Sequence, residues 1–408
     1  VKIANYIFYF ILFLGFFLPS NGDFYISFSV GLLSVREFAF LLLPVVNLFC
    51  WSNRGVCIAD RKSKILIALF LIVILVTELF KHLYYDEGIV NAIKTTRMGL
   101  PLFSSLLLVY SGIRADIEKV WQILLYAISV SAVLTLITPF VFLPIYPSFE
   151  GQNILEALYG RLMNSNNTFG FIGIYLLFRD KGRWYNKGWL PIITALLSIA
   201  SLIMSFNRTY LALMVLAYIH LVFTEFSVRK IIKILSLPII VIGMFSAAYN
   251  NSEAIKNQVD QRIFDIVLGS TLLSESVYEN NRDVIFDGVS NRIFQGYWLF
   301  GLSYDTPFHI VYNASKNEYF GLPSIDTSVL NILLRYGIVP LILFIMIFYR
   351  LCSRSKPGVF IFSLSIYTLA SLNTDAFFKD NSIFFLLAIY VIQNYYPKSK
   401  TFQPNLSN

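Results

Sequence analysis

Three apolar runs of this 408-residue chain open on ionisable side chains that a hydrophobic environment penalises. Lys94 and Arg97 stand three apart, on one face of any helix they share. Ser205-Phe206-Asn207-Arg208-Thr209 sets Arg208, with Asn207 beside it, at the head of a second run. Asp326-Thr327-Ser328 heads a third, which carries Arg335 further in. Charges within membrane-crossing segments cost roughly 2.5–3.5 kcal/mol each on insertion scales, so each is a candidate for function. A cation at a helix N-terminus also opposes the helix dipole by ~0.3–1 kcal/mol. A bound anion reverses that sign, because free backbone N–H groups and guanidinium groups then face the same charge. A pyrophosphate is an anion of that kind.

Each candidate has a competing reading. Lys94 and Arg97 suit side chains that snorkel to lipid headgroups. Asp326, just before an apolar run, suits a helix N-cap worth ~1 kcal/mol. On an unbroken helix, at about 100° per residue, Gly337 falls near the face of Asp326 and Arg335 on the opposite one. Pro340 conflicts with the Tyr336 carbonyl and predicts a kink beside Gly337. Arg36, Glu37 and Glu78 are expected to form structural ion pairs within the helical body.

The elements that must position these residues are written in the composition. Hydrophobic residues make up 57% of the chain and charged residues 14%, against a soluble norm of roughly a quarter charged. Twelve apolar runs follow one another: Ile3–Leu18, Gly31–Phe49, Ile65–Phe80, Ala92–Ser111, Trp121–Leu143, Leu162–Phe178, Trp189–Phe206, Thr209–Phe226, Ile231–Tyr249, Thr327–Tyr349, Val359–Leu372 and Ser382–Tyr395. Each is long enough, or nearly so, for a spanning helix. The sixth contains Asn164-Ser165-Asn166-Asn167, which suits a half-helix lining a cavity. The fold class expected is an all-α polytopic integral membrane protein of about twelve helices, forming a single domain over residues 1–408.

Basic residues fall in alternate connections: Arg54, Arg61, Lys62 and Lys64 after the second run, Arg114 and Lys119 after the fourth, and Arg350, Arg354 and Lys356 after the tenth. The positive-inside rule then puts both termini in the cytoplasm. The long polar interval 250–325, with five basic against nine acidic residues, becomes an extracytoplasmic lid between spans nine and ten. It is expected to hold helical patches at Ile255–Leu268 and Arg282–Phe294 and a turn-rich middle at Gly301–Pro307. The net charge of +8 reflects cytoplasmic loops and implies no nucleic-acid partner. Lys2 with Ile3–Leu18 reads as a first anchor, because Pro19-Ser20-Asn21-Gly22 is a poor cleavage site. Cys50, Cys57 and Cys352 lack metal spacing, as do His82, His220 and His309, so no metal or other cofactor is expected. Gly55–Lys64 (GVCIADRKSK) approximates a major-facilitator loop, but its Gly-to-Asp spacing is one residue too long and Ser63 replaces a Gly.

The last third resembles the O-antigen polymerase (Wzy-type) and ligase superfamily of bacterial membrane glycosyltransferases. Ser205–Tyr218 (SFNRTYLALMVLAY) looks like its Ser-x-x-Arg opening of a helix. Asn280–Thr306 (NNRDVIFDGVSNRIFQGYWLFGLSYDT) looks like its loop of Arg, short helix, apolar residue and Gly. Asp326–Pro340 (DTSVLNILLRYGIVP) looks like the helix that follows. The ligases typically carry His where Asp326 stands, so the resemblance leans to polymerase, although Pro340 replaces the second Gly of the family's Gly-x-x-Gly.

The resemblance implies a GT-C-like architecture and a donor in which an oligosaccharide repeat hangs on undecaprenyl pyrophosphate. The growing glycan would pass to another carrier-linked repeat at the periplasmic face of the inner membrane, with no nucleotide sugar or metal. Arg208 and Arg282 would hold the pyrophosphate, with Asp326 beside the sugar as a base or an orienting group. Arg97, Lys94, Arg292, Arg335 and Asn207 would complete the substrate contacts. A flippase and a chain-length regulator would be pathway partners. The alternatives are a ligase transferring finished glycan to lipid A–core, or a polysaccharide flippase or transporter.

Overall fold

The computed structural model describes residues 2–18, 29–30, 33–84, 97, 99–137, 187–204, 208–224, 288–302, 309–313, 318–322 and 327–353, with isolated helical positions at 90 and between 232 and 256. The described chain is mostly helical. Its elements are α1 (Lys2–Phe17), a short hairpin of β1 (Ser29–Val30) and β2 (Leu33–Ser34), α2 (Val35–Phe49), α3 (Arg61–Tyr84), α4 (Leu100–Ser111), α5 (Ile117–Ile137), α6 (Leu190–Met204) and α7 (Arg208–Thr224). After a π-helical turn at Ile293–Tyr297 come β3 (His309–Asn313), β4 (Glu318–Leu322), α8 (Ser328–Tyr336) and α9 (Ile338–Cys352). Spans six, eleven and twelve of the expected set lie outside the described residues, as do the 255–268 patch and Pro307.

Among the described residues two helices are long and apolar enough to cross a membrane, Arg61–Leu83 with 23 residues and Ile117–Ile137 with 21. At about 1.5 Å per residue both reach across a hydrocarbon core of about 30 Å. One face of α3 is an exposed apolar stripe, and its buried face carries polar as well as apolar groups. Ile65, Leu69, Ile72, Leu75, Leu79 and Leu83 are exposed at spacings of three and four, while Ser63, Thr77, Glu78 and Lys81 are buried. Ile67, Phe70 and Ile74 are buried on the same face, and the exposed apolar stripe opposite suits apolar surroundings.

The chain divides into two compact units, 1–39 with 115–274 and 40–114 with 275–408. In the first, α5 packs between α1 and α6. Small polar side chains join these helices: the Ser129 and Thr194 hydroxyls lie 2.7 Å apart, and Thr194 Oγ1 donates to the Leu190 carbonyl at 2.8 Å. Such contacts favour helix association in lipid, which offers no competing partners. Where α2 begins, the Glu37 N–H donates to Ser34 Oγ at 3.2 Å and the Ser34 N–H donates to Glu37 Oε2 at 2.7 Å. This reciprocal pair is a capping box. Arg36 Nε donates to the Gly15 carbonyl at 3.1 Å, tying the start of α2 to α1.

In the second unit α3 lies against α4 and, antiparallel, against α9, with Phe70 packed between Phe103 and Phe344. Pro44 sits inside α2 and has no N–H to offer the Phe40 carbonyl. Ser104 of α4 fills that vacancy, its hydroxyl donating to the Phe40 oxygen. At the ends of α2 and α4, Asn47 Nδ2 donates to the Gly112 carbonyl at 2.7 Å, and Asn47 Oδ1 accepts from the Arg114 N–H at 3.0 Å. Asp60 accepts from the Ser63 N–H at the start of α3 and pairs with Arg350 near the end of α9 at 3.1 Å. The motif-like Gly55–Lys64 segment is therefore a helix cap and an ion pair. Arg54, Arg61, Lys62, Lys64, Arg114 and Arg350 all gather at this one end of the unit.

The tenth apolar run is not one kinked helix. It is cut at Gly337, whose φ of 91° and ψ of −178° separate α8 from α9. Pro340 thereby enters the first turn of α9, where an N–H would find no helical acceptor in any case, and its clash with Tyr336 is removed. The interval 250–325 also holds a feature outside the expected helical patches and turns: β3 and β4 form an antiparallel hairpin, with Val311 opposite Phe320.

Candidate functional site

The end of the second unit opposite its basic loops is built on α3. Glu78 and Lys81, one helical turn apart, form an ion pair of 2.9 Å in which Lys81 is fully buried. Lys81 Nζ also donates to the Arg335 carbonyl, in the last turn of α8. It lies 5.3 Å from the centre of the Tyr336 ring. A helix C-terminus, an aromatic face and a carboxylate thus share one ammonium group. Each of them stabilises a cation that burial alone would disfavour. Glu78 is paired, as its position in a span required.

A second strand of contacts locks the chain around the α8–α9 break. The Leu302 N–H donates to the Leu334 carbonyl at 2.6 Å, and the Ile338 N–H donates to the Trp298 carbonyl at 2.8 Å. Gly301, at φ 83°, and Gly337 lie where these segments cross. A Cβ on Gly301 would strike the Arg335 carbonyl, and one on Gly337 would strike the Leu299 carbonyl. Val289, Leu302 and Leu334 form a small core beneath, with Ile293, Tyr297 and Leu330 packed on it.

Around this frame the structure places three of the expected substrate-binding residues. Arg97 lies two residues before Gly99, the N-cap of α4, and is partly exposed. Arg292 precedes the π-helical turn, with its Nη1 3.2 Å from Gln295 Oε1 and its guanidinium 6.0 Å from the Tyr297 ring. Arg335 is 1% exposed, an interior group next to the carbonyl that holds Lys81. Arg97 and Arg292 are thus partly exposed, and Arg335 is buried. Arg208 is the first residue of α7, the helix start its sequence implied, and belongs to the other unit. Asp326, Arg282, Lys94 and Asn207 lie outside the described residues.

The capping role open to Asp326 falls to its neighbour. Thr327 is the N-cap of α8, its side-chain oxygen accepting from the Leu330 N–H at 3.3 Å. Lys81 is the residue that sequence reasoning missed. Its signal was present in Glu78-x-x-Lys81, an i, i+3 pair of opposite charge in an apolar run. Among the described residues no cluster of three His, Cys, Asp or Glu side chains could hold a metal ion. Comparison with known protein families, with curated proteins and with solved structures finds no match to this chain.

Proposed function

We propose that this protein is a membrane glycosyltransferase that polymerises oligosaccharide repeats carried on undecaprenyl pyrophosphate into O-antigen or a related surface polysaccharide. In this reading about twelve helices cross the bacterial inner membrane, both termini are cytoplasmic, and the interval 250–325 is periplasmic. The observation that carries it is the placing of two partly exposed arginines, Arg97 ahead of α4 and Arg292 ahead of the π-helical turn, away from the basic loops of the second unit. Cations concentrate on the cytoplasmic side of membrane proteins, and an anionic ligand on the other side would meet these two.

The chemistry is transfer of the donor sugar from pyrophosphate oxygen to an acceptor hydroxyl. The anomeric C–O bond to the carrier breaks, a new C–O bond to the acceptor forms, and the hydroxyl proton is released. Arg208 and Arg282, with Arg97, offset the charge that grows on the departing pyrophosphate. Asp326 orients the acceptor hydroxyl or takes its proton. A closed periplasmic segment excludes the water that would otherwise hydrolyse the donor.

Deletion of the gene in the native host, followed by gel separation of surface polysaccharide, tests the reading. A polymerase leaves lipid A–core capped by a single repeat. Complete loss of repeats points instead to a ligase or a flippase, and an unchanged ladder overturns the glycan reading.

A further inference from the structure

The turn that follows Arg292 has its apolar side chains on the outside. Phe294 is 87% exposed, and Trp298, Leu299 and Phe300 are also exposed. Its place in the fold supplies an occupant for that surface. Phe300 stacks on Phe80 of α3, with ring centres 4.7 Å apart. Phe80 lies three residues, about 4.5 Å of helix rise, before Leu83, where the longest membrane-crossing stretch among the described residues ends. The exposed apolar stripe of α3 continues to this level through Leu79 and Leu83, and that of α9 begins there with Val339 and Ile342. The turn therefore extends the exposed apolar surface of α3 and α9, at the level where the membrane-crossing length of α3 ends.

Its backbone is prepared for that place. The Trp298 and Leu299 N–H groups both donate to the Gly296 carbonyl, and the Gly301 N–H donates to the Tyr297 carbonyl at 2.8 Å. The Trp298 carbonyl accepts from Ile338. Irregular backbone enters a bilayer boundary only when its polar groups are paired within the protein. The side chains complete the pattern: Tyr297 and Trp298 carry a polar atom on an aromatic body, the composition enriched where acyl chains meet headgroups.

We propose that Ile293–Phe300 is an interfacial anchor, its aromatic side chains inserted into the headgroup–acyl boundary of the bilayer leaflet at the end of α3. The anchor goes beyond the glycan chemistry and needs none of it. Through Leu302 and Ile338 it holds the α8–α9 break at a set depth, and with it the partly exposed Arg292.

Spin labels read this directly. Phe294→Cys and, separately, Leu299→Cys are made in a Cys57→Ser background, because Cys57 is the exposed native thiol and Cys50 and Cys352 are buried. The labelled proteins are reconstituted in vesicles of phosphatidylethanolamine and phosphatidylglycerol. Collision with oxygen should exceed collision with a water-soluble nickel chelate at both positions, with a depth of about 5–10 Å below the phosphate plane. Chelate collisions in excess at both positions mean a water-exposed turn, and low collisions with both reagents mean a protein-covered one. Either result overturns the anchor. Leu75→Cys, on the exposed stripe of α3, is the reference for full lipid contact.

Discussion

Gly301 and Gly337 face each other across two chain crossings in which each leaves room for the other segment's carbonyl. Both hold positive φ, and a methyl group on either would meet backbone rather than a side chain that could turn aside. Gly301→Ala and Gly337→Ala should each lower stability by at least about 2 kcal/mol, the left-handed penalty plus the displaced backbone. Gly296, also at positive φ but with nothing nearby, is the control: Gly296→Ala should cost only the ~1–2 kcal/mol of the conformation itself. Thermal unfolding of the three variants in one detergent gives the order. Equal losses in all three would remove the crossing from the account.

The hydroxyl of Ser104 supplies what Pro44 withholds. Ser104→Ala should leave the Phe40 carbonyl without its donor in an apolar setting and cost about 1–3 kcal/mol. Pro44→Ala, which restores the helical N–H, should make the Ser104→Ala loss smaller. A double-mutant cycle on unfolding midpoints measures that coupling, and additive losses would refute it.

Lys81 and Glu78 form a pair that is costly to break and cheap to replace. Lys81→Met alone should destabilise by about 3–5 kcal/mol, because the Glu78 carboxylate stays buried beside the Tyr336 ring. Glu78→Gln in the same chain should recover much of the loss. Denaturation in detergent distinguishes this from a simple packing defect, for which the second substitution would bring no recovery.

Arg208→Ala and Asp326→Ala should each abolish long glycan chains in the native host while protein levels in the membrane stay normal. The readout is the polysaccharide ladder beside an immunoblot of the membrane fraction. Full-length chains from both variants would remove these residues from the site, whatever the fate of the wider reading.

The thiols should separate by reactivity. Burial raises Cys50 to a pKa of about 11, offset in part by the positive charge of Arg114, whereas Cys57 is exposed. A thiol with a raised pKa holds less thiolate at neutral pH, and thiolate is the nucleophile. Maleimide at pH 7 should therefore label Cys57 first. Labelling of Cys50 should climb with pH until about 11, and mass spectrometry of the peptides follows both.

How far the fold could be read from the residues depended on what each element rests on. The run Ile3–Leu18 became α1 at Lys2–Phe17, and Trp189–Phe206 became α6 at Leu190–Met204, because length and hydropathy alone specify such helices. Residues 327–349 read as one helix on the same criteria, yet the chain breaks at Gly337. That break depends on Leu299 and Trp298, some forty residues away, and periodicity within a run carries no trace of a distant carbonyl. The hairpin of His309–Asn313 and Glu318–Leu322 was signalled by Ile310, Val311, Tyr312, Tyr319 and Phe320, a β-branched and aromatic pattern that the expectation of helical patches and turns passed over. The helix start at Arg208 was legible from the polar residues before it. The buried Lys81 was legible only in the spacing of its partner Glu78, while its second partner, the Arg335 carbonyl, is a main-chain atom that no side-chain pattern reports.

The bond from Leu302 to the Leu334 carbonyl has a further consequence. It brings the chain back, after an excursion, to the point from which it left, so both ends of the intervening cassette are pinned to the same frame. Closing a longer flexible excursion costs only about 0.6 kcal/mol for each doubling of its length. A change in the length of chain between the two bonded ends should therefore cost the α8–α9 break little.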